Sequence, residues 1–231
     1  PELGQSELSA RNRPAREVGS DYYDVLGMAD SGAGEGPHLL VVADISGKGV
    51  GASLLMANIQ ATLRALLSVE PSLEEVARRT SELLYASTPA SKYATAILVK
   101  YDPSSGRCAY INAGHNEGLI LRQSGAMERL GATSVPMGLL PGSRFPEGSF
   151  ELGEGDVLLL YSDGVTDAMD AQGEEYGMER LMEMLGRAGG AGMEALIDGI
   201  FHSIDAFASG AAQHDDITVL ALRRAAAGDV R

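Results

Sequence analysis

Three apolar runs in this chain meet carboxylates at their ends. Leu39-Leu40-Val41-Val42-Ala43 leads into Asp44-Ile45-Ser46-Gly47, and Val157-Leu158-Leu159-Leu160-Tyr161 leads into Ser162-Asp163-Gly164. A third run, Ile217 to Leu222, begins directly after Asp215-Asp216. A β-rich run that stays apolar instead of alternating reads as a strand covered on both faces. The carboxylates therefore stand where a buried sheet meets a loop. An ionised carboxylate taken out of water without a partner costs several kcal/mol, so several converging on one place require basic side chains or a metal ion.

At 231 residues with 45% hydrophobic content, the chain is long enough to bury one core. The expected division is one domain over 1–224 and a frayed tail over 225–231. The formal charge of −14 repels nucleic acid and anionic membrane and concentrates divalent cations. Neither nucleic acid nor membrane is therefore an expected partner. The lone Cys108 has no intrachain disulfide partner and no histidine at zinc-ligand spacing, so it reads as a small core residue. The most membrane-like stretch, Val50 to Val69, carries Asn58, Gln60, Thr62 and Arg64, which argues against a span. With no signal peptide pattern, a cytoplasmic location is expected. The chain opens on Pro1-Glu2-Leu3, compatible with a domain upstream.

Glu7 to Ala29 reads as extended, Ser31 to Pro37 as a turn-forming linker, and Leu39 to Asp44 as the returning strand of a hairpin. Helical spacing follows from Val50 to Leu67, then again after Pro71-Ser72 through Leu73, Val76, Ala77, Leu83 and Leu84. Short strands are expected at Tyr93–Tyr101, Arg107–Asn112, Gly118–Gln123, Phe145–Leu152 and Asp156–Ser162. Helices over Met178–Leu185 and Met193–Phe207 precede a last strand, Ile217–Arg223. Met178, Met182 and Met193 read as core gap-fillers. The order argues for an α+β fold with helices covering antiparallel sheets.

Acidic residues at strand ends recur at Asp21 and Asp24, Asp44, Asp163, and Asp215 or Asp216. Oxygen-only ligands without a His or Cys cluster suit Mg²⁺ or Mn²⁺ rather than zinc. Any one of them alone reads as a cap or turn former; together, each abutting an apolar run, they favour a metal centre. The loop Ile45 to Ser53 opens the first long helix, and its glycines, Gly47 among them, can expose N–H groups to a phosphate. Gly47-Lys48 is followed by Gly49 rather than Ser or Thr, so it is no P-loop. It reads instead as a metal-flanking turn in which the Ile45 carbonyl can face an ion. His115, in Ala113-Gly114-His115-Asn116, is either functional or turn-stabilising. His214 is either a supporting neighbour of Asp215 or merely exposed. No Gly-x-Ser-x-Gly elbow supports a covalent serine.

Five strings carry a resemblance: Arg16 to Asp24, Ala43 to Val50, Asn112 to Asn116, Tyr161 to Asp167, and Asp215 to Val219. In order and spacing they resemble the signatures of the bacterial SpoIIE/RsbU-type serine/threonine phosphatases, a branch of the metal-dependent PP2C-like superfamily. The resemblance implies an α-β-β-α sandwich with two Mn²⁺ or Mg²⁺ ions at one end. Carried over by position, the metal ligands are Asp21 with Asp24 nearby, Asp44 with the Ile45 carbonyl, Asp163 and Asp215, with Asp216 as substitute. Asp44 would bridge the ions, and Asp44, Asp21, Asp163 and Asp215 form the catalytic set. Arg16 resembles a substrate-phosphate ligand, its other reading being an exposed strand arginine, and Gly47 is the second substrate-binding candidate. Two cations about 3.5–4 Å apart would activate a water for direct attack on phosphoserine or phosphothreonine. The chain departs from relatives at Ser46, where eukaryotic members carry a histidine, at Ser20, usually glycine, and at Glu117-Gly118, usually a proline pair. The implied substrate is a phosphorylated protein, by analogy a STAS-type anti-anti-sigma regulator in bacterial stress or developmental signalling. An upstream sensor domain and a homodimer are compatible with this. Two other classes compete: a catalytically silent phosphoprotein-binding module, against which the intact acid set argues, and a two-metal phosphodiesterase, against which the missing basic track argues.

Overall fold

The run Leu39 to Ala43 is apolar throughout because both of its faces are covered. In the computed structural model, which describes residues 3–4, 6–28, 36–70, 72–89, 92–187 and 190–225, this run lies in β3 (His38–Ile45), between β2 (Asp21–Gly27) and β4 (Ala94–Tyr101). The first sheet continues through β5 (Arg107–Ala113) to β8 (Gly148–Glu151). The second has the order β1 (Ser6–Arg13), β10 (Ile217–Arg224), β9 (Val157–Tyr161), β6 (Gly118–Leu121) and β7 (Met127–Leu130). Every pairing is antiparallel.

Period-two alternation then assigns the layers. Leu40 and Val42 from β3 meet Leu158, Leu160, Leu220 and Leu222 in a core between the sheets. Leu39, Val41, Ala43 and Ile45 face the other way, against α1 (Val50–Leu67) and α2 (Leu73–Ser87). Leu159, Tyr161, Val219 and Ala221 pack against α3 (Gly177–Gly186) and α4 (Met193–Ala208). The result is the expected α-β-β-α sandwich. Burying each such Leu, Ile or Val contributes about 1.5–3 kcal/mol.

Helix α1 runs over the residues its pattern suggests, and α2 is capped by Ser72, whose hydroxyl accepts the Glu75 N–H at 3.2 Å. Among the described residues α1 is the one helix long and apolar enough to cross a membrane. Here it lies on the first sheet, where Ile59, Leu63 and Leu67 are buried. Met193 is fully buried, Met178 and Met182 pack against the α3/α4 core, and burial pushes the Cys108 thiol up to about 12. Those residues are structural.

The extended stretch from Glu7 is not one element. β1 pairs with β10 in the second sheet while β2 pairs with β3 in the first, so residues 14–20 cross from one sheet to the other. β7 has no counterpart in the sequence reading, since Met127-Glu128-Arg129-Leu130 is short and half polar; it forms because the turn at Gly125 returns the chain onto β6. The strand expected over Phe145–Leu152 shortens to Gly148–Glu151. Most of the linker expected over Ser31–Pro37, Pro71, and the tail beyond Ala225 lie outside the described residues.

Candidate metal centre

Strand register brings the first two acids together. Asp21 on β2 stands directly opposite Asp44 on β3, and Thr95 on β4 stands opposite Asp44 on its other side. Because Val42 faces the space between the sheets, Asp44 two residues on, and Asp21 across from it, share that face. The second sheet contributes Ser162, at the end of β9, and Asp216 and Thr218 from the start of β10. Thr218 Oγ1 donates to Asp21 Oδ2 at 2.5 Å and accepts from Asn12 Nδ2 at 2.7 Å. Ser162 Oγ donates to the Asp216 carbonyl at 3.2 Å and accepts the Thr218 N–H at 3.0 Å. Asp163 opens the next turn, where Gly164 lies so close to the Asp216 carbonyl oxygen that a Cβ would overlap it.

The acids raise one another's pKa. Burial, reinforced by Asp44 and Asp216, pushes Asp21 up to about 8 against the opposing hydroxyls of Ser162 and Thr218. Burial, then the charges of Asp163, Asp215 and Asp216, pushes Asp44 to about 7. Asp163 is raised by burial and by Asp215 and Asp167, with Lys48 opposing. Asp216 is the exception. Burial alone would raise it, but the N–H groups of Ala15 (2.7 Å), Ser20 (2.5 Å) and Asp21 (3.3 Å) and the Ser20 hydroxyl (3.1 Å) hold its carboxyl below the ordinary range.

Such a set is short of positive charge, and its donors are all oxygen. It fits a hard divalent cation in chemistry. Among the described residues no three candidate ligands already enclose a common point. Two acids are tied elsewhere: Asp21 to Thr218, and Asp215 to Lys48, whose Nζ lies 2.9 Å from Asp215 Oδ2 and 2.8 Å from the His214 carbonyl. Closing a ligand shell therefore requires these carboxylates to rotate. Asp216 already serves four donors.

Asp24 does not join the cluster. It pairs with Val41, whose side chain faces the helices, so it points to α1, where it meets Arg64 at 2.6 Å, Tyr22 Oη at 2.9 Å and Gln60 at 3.4 Å. Arg16 is exposed on the crossing segment that wraps Asp216. Gly47 is exposed with φ 96°, and the Lys92 ammonium, 2.9 Å from the Ser46 carbonyl, covers it. Ile45 buries its side chain beneath the helices, and its N–H reaches the Ser20 carbonyl at 3.4 Å.

His115 is buried, its pKa pushed down to about 4, with Nε2 3.1 Å from the Tyr161 carbonyl and Nδ1 2.9 Å from Thr95 Oγ1. A carbonyl only accepts, so Nε2 carries the proton and Thr95 donates to Nδ1. A neutral imidazole thus ties the two sheets together below Asp44. Three contributors carried no assigned role in the sequence: Lys48, Asp167 and Thr218. For Thr218 a signal existed, since it follows Asp216 by two residues and so shares its face.

Comparison with known proteins agrees with the fold. The family described as Stage II sporulation protein E (SpoIIE) matches residues 34–225. The chain belongs to the SpoIIE family. Individual relatives extend the match to almost the whole chain. Protein IcfG of Synechocystis is 31% identical over 97% of this chain and 39% of its own length. Phosphoserine phosphatase RsbU of Bacillus subtilis is 24% identical over 97% of this chain and 65% of its own. The chain thus corresponds to part of each relative. Among solved structures, the PP2C phosphatase domain of SpoIIE from Bacillus subtilis superposes with a TM-score of 0.82 at 18% identity, covering 96% of this chain and 64% of that one. The catalytic domain of the serine/threonine phosphatase PstP, solved with two manganese ions, shares the fold at a TM-score of 0.66 and 17% identity, covering 96% and 99%.

Proposed function

We propose that this SpoIIE-family chain hydrolyses phosphoserine or phosphothreonine on a protein, with two Mn²⁺ or Mg²⁺ ions held by Asp21, Asp44, Asp163 and Asp215. The observation that carries this reading is the convergence, at one end of the inter-sheet space, of oxygen ligands that raise one another's pKa. When bound, such ions supply charge for the phosphate and an activated water. The remaining work falls to the chain itself. Asp44, on which the charges of Asp163, Asp215 and Asp216 all act, would help hold both ions. Thr218 and Ser162 orient Asp21 from the opposite sheet. Asp216 fixes residues 15–21, and with them the exposed Arg16, beside the cluster, where a guanidinium can meet a phosphate. Gly47 lies at the same rim.

RsbU, named a phosphoserine phosphatase, supports phosphoserine as the group hydrolysed, and a phosphorylated STAS-type anti-anti-sigma regulator is the substrate we propose. A sensor domain upstream, a homodimer and a cytoplasmic location belong to the same proposal. Asp44→Ala and Asp163→Ala should each abolish Mn²⁺-dependent hydrolysis of p-nitrophenyl phosphate while the circular dichroism spectrum stays native. Unchanged turnover in both would refute the assignment, and phosphopeptide binding without phosphate release would make the chain a binding module.

A further inference from the structure

A cavity of about 270 Å³ opens beside the acid cluster, between the last turns of α4, the loop that leads into β10, and the turn after β9. Its apolar wall is made by Ala168, Met169, Ile204, Ala208, Ala212 and Ile217. Two further lining residues connect it to the proposed centre: Asp215, whose charge acts on Asp44 and Asp163, and Gly164, the neighbour of Asp163. The structure assigns this cavity to an apolar side chain of the phosphorylated polypeptide, close in sequence to the phosphoresidue, so that the cavity selects which sites are dephosphorylated. This rests on the phosphatase reading above.

Size, polarity and reach support that occupant. Ligand pockets for drug-sized molecules run from about 300 to 1,000 Å³, while about 150 Å³ suffices for benzene; the cavity suits one Leu, Met or Phe side chain better than a cofactor. It is lined by Asp167, Asp205 and Asp215; Asp205 is engaged by Arg13 at 2.7 Å and Asp215 by Lys48 at 2.9 Å, which leaves the carboxylate of Asp167, among the described residues, without a cation beside it to disfavour an acidic flank. An extended polypeptide advances about 3.3–3.6 Å per residue, and Asp215 belongs to both places, so a residue one or two positions from the phosphoserine reaches the cavity.

The test uses the full chain with Mn²⁺ and phosphoserine nonapeptides with alanine flanks, carrying a single Leu, Lys or Asp at each position from two before to two after the phosphoserine. The wild type should favour one Leu peptide over its all-alanine parent by about 10-fold in kcat/KM, the scale of one apolar side chain in a pocket, and should disfavour the matching Asp peptide. Ala212→Leu and Ala208→Leu, which fill the cavity from the loop and from the helix, should abolish that preference while p-nitrophenyl phosphate turnover and Tm stay at wild-type values. Absence of a Leu preference, or its persistence in both folded variants, overturns the inference. If the wild type hydrolyses neither peptide nor p-nitrophenyl phosphate, the phosphatase reading fails. Fluorescence anisotropy with the same labelled peptides then decides the cavity: Leu-dependent binding lost on filling supports it, and Leu-independent binding or none overturns it.

Discussion

Replacing Asp21 with Asn should make the metal-free protein more stable, by an amount that grows with pH. Asp21 is pushed up to about 8 in the folded chain from an ordinary 3.8, so between those values the folded state holds a proton that the unfolded state has released. Stability from this group is then complete below pH 3.8 and declines as pH rises towards 8. At about 1.4 kcal/mol per pH unit, the wild type at pH 7 carries up to about 4 kcal/mol of this cost, of which water entry and rotation of the carboxylates leave about 2 kcal/mol to be measured. Asn avoids the cost. Its carbonyl can still accept the Thr218 hydroxyl, and its amide offers Asp44 a donor. Urea unfolding in EDTA at pH 5, 6, 7 and 8 should show Asn above wild type by a margin that widens with pH. With Mn²⁺ the order should reverse, because an ion at 100 times its Kd stabilises the protein that binds it by about 2.7 kcal/mol and the variant lacks a ligand. A margin that is flat with pH, or a variant less stable than wild type at pH 8 in EDTA, would refute the reasoning.

Lys48→Met removes the ammonium that competes for Asp215; Mn²⁺ affinity measured by calorimetry should rise severalfold, while stability changes by less than about 1 kcal/mol because both partners are more than a third exposed. Gly164→Ala drives a Cβ into the Asp216 carbonyl, backbone that cannot yield without moving the start of β10. A loss of about 2 kcal/mol or more in urea unfolding is expected, with weakened Mn²⁺ binding. Asp24→Asn, on the helix side of β2, should keep Mn²⁺-dependent turnover within about twofold and lose at most about 1 kcal/mol of stability from the Arg64 pair; loss of turnover with an intact fold would return Asp24 to the ligand set.

What the sequence reveals depends on whether a signal is local. The α1 boundaries, the start of α2 after Pro71-Ser72 and the non-alternating β3 and β9 runs are local consequences of burial and propensity, and they read correctly. The assignment of β1 and β2 to different sheets is not local. Nothing in Glu7 to Ala29 marks the crossing except that Pro14 to Ser20 breaks the pattern, and its course is fixed by Asp216, some two hundred residues later, which gathers the N–H groups of Ala15, Ser20 and Asp21. β7 is held by its partner strand rather than by its own composition. Lys48 and Asp167 gain meaning only once the loops around Asp163 and Asp215 are adjacent.

The pair Asp215-Asp216 shows how one rule separates what residue type cannot. Both are aspartates at the mouth of the same strand, but alternation places Asp216 on the face of Thr218, between the sheets, where the crossing segment supplies donors and Gly19 leaves room for the carboxylate. Asp215 falls on the side of the loop, touching a lysine and the cavity. A carboxylate held below its ordinary pKa by four donors gives up those bonds if it rotates to an ion, whereas Asp215, held by the half-exposed Lys48 ammonium and by one N–H, that of Asp216, at 3.0 Å, exchanges one cation for another at smaller cost. On that difference rests our proposal that Asp215 is a ligand and Asp216 a brace, and it predicts opposite signatures. Asp216→Asn should lower stability with or without metal, since an amide cannot accept from all four donors, while Asp215→Asn should leave the metal-free protein near wild type and remove only the stabilisation that Mn²⁺ confers. Thermal unfolding of both variants in EDTA and in Mn²⁺ distinguishes the roles, and equal responses from the two would refute the division.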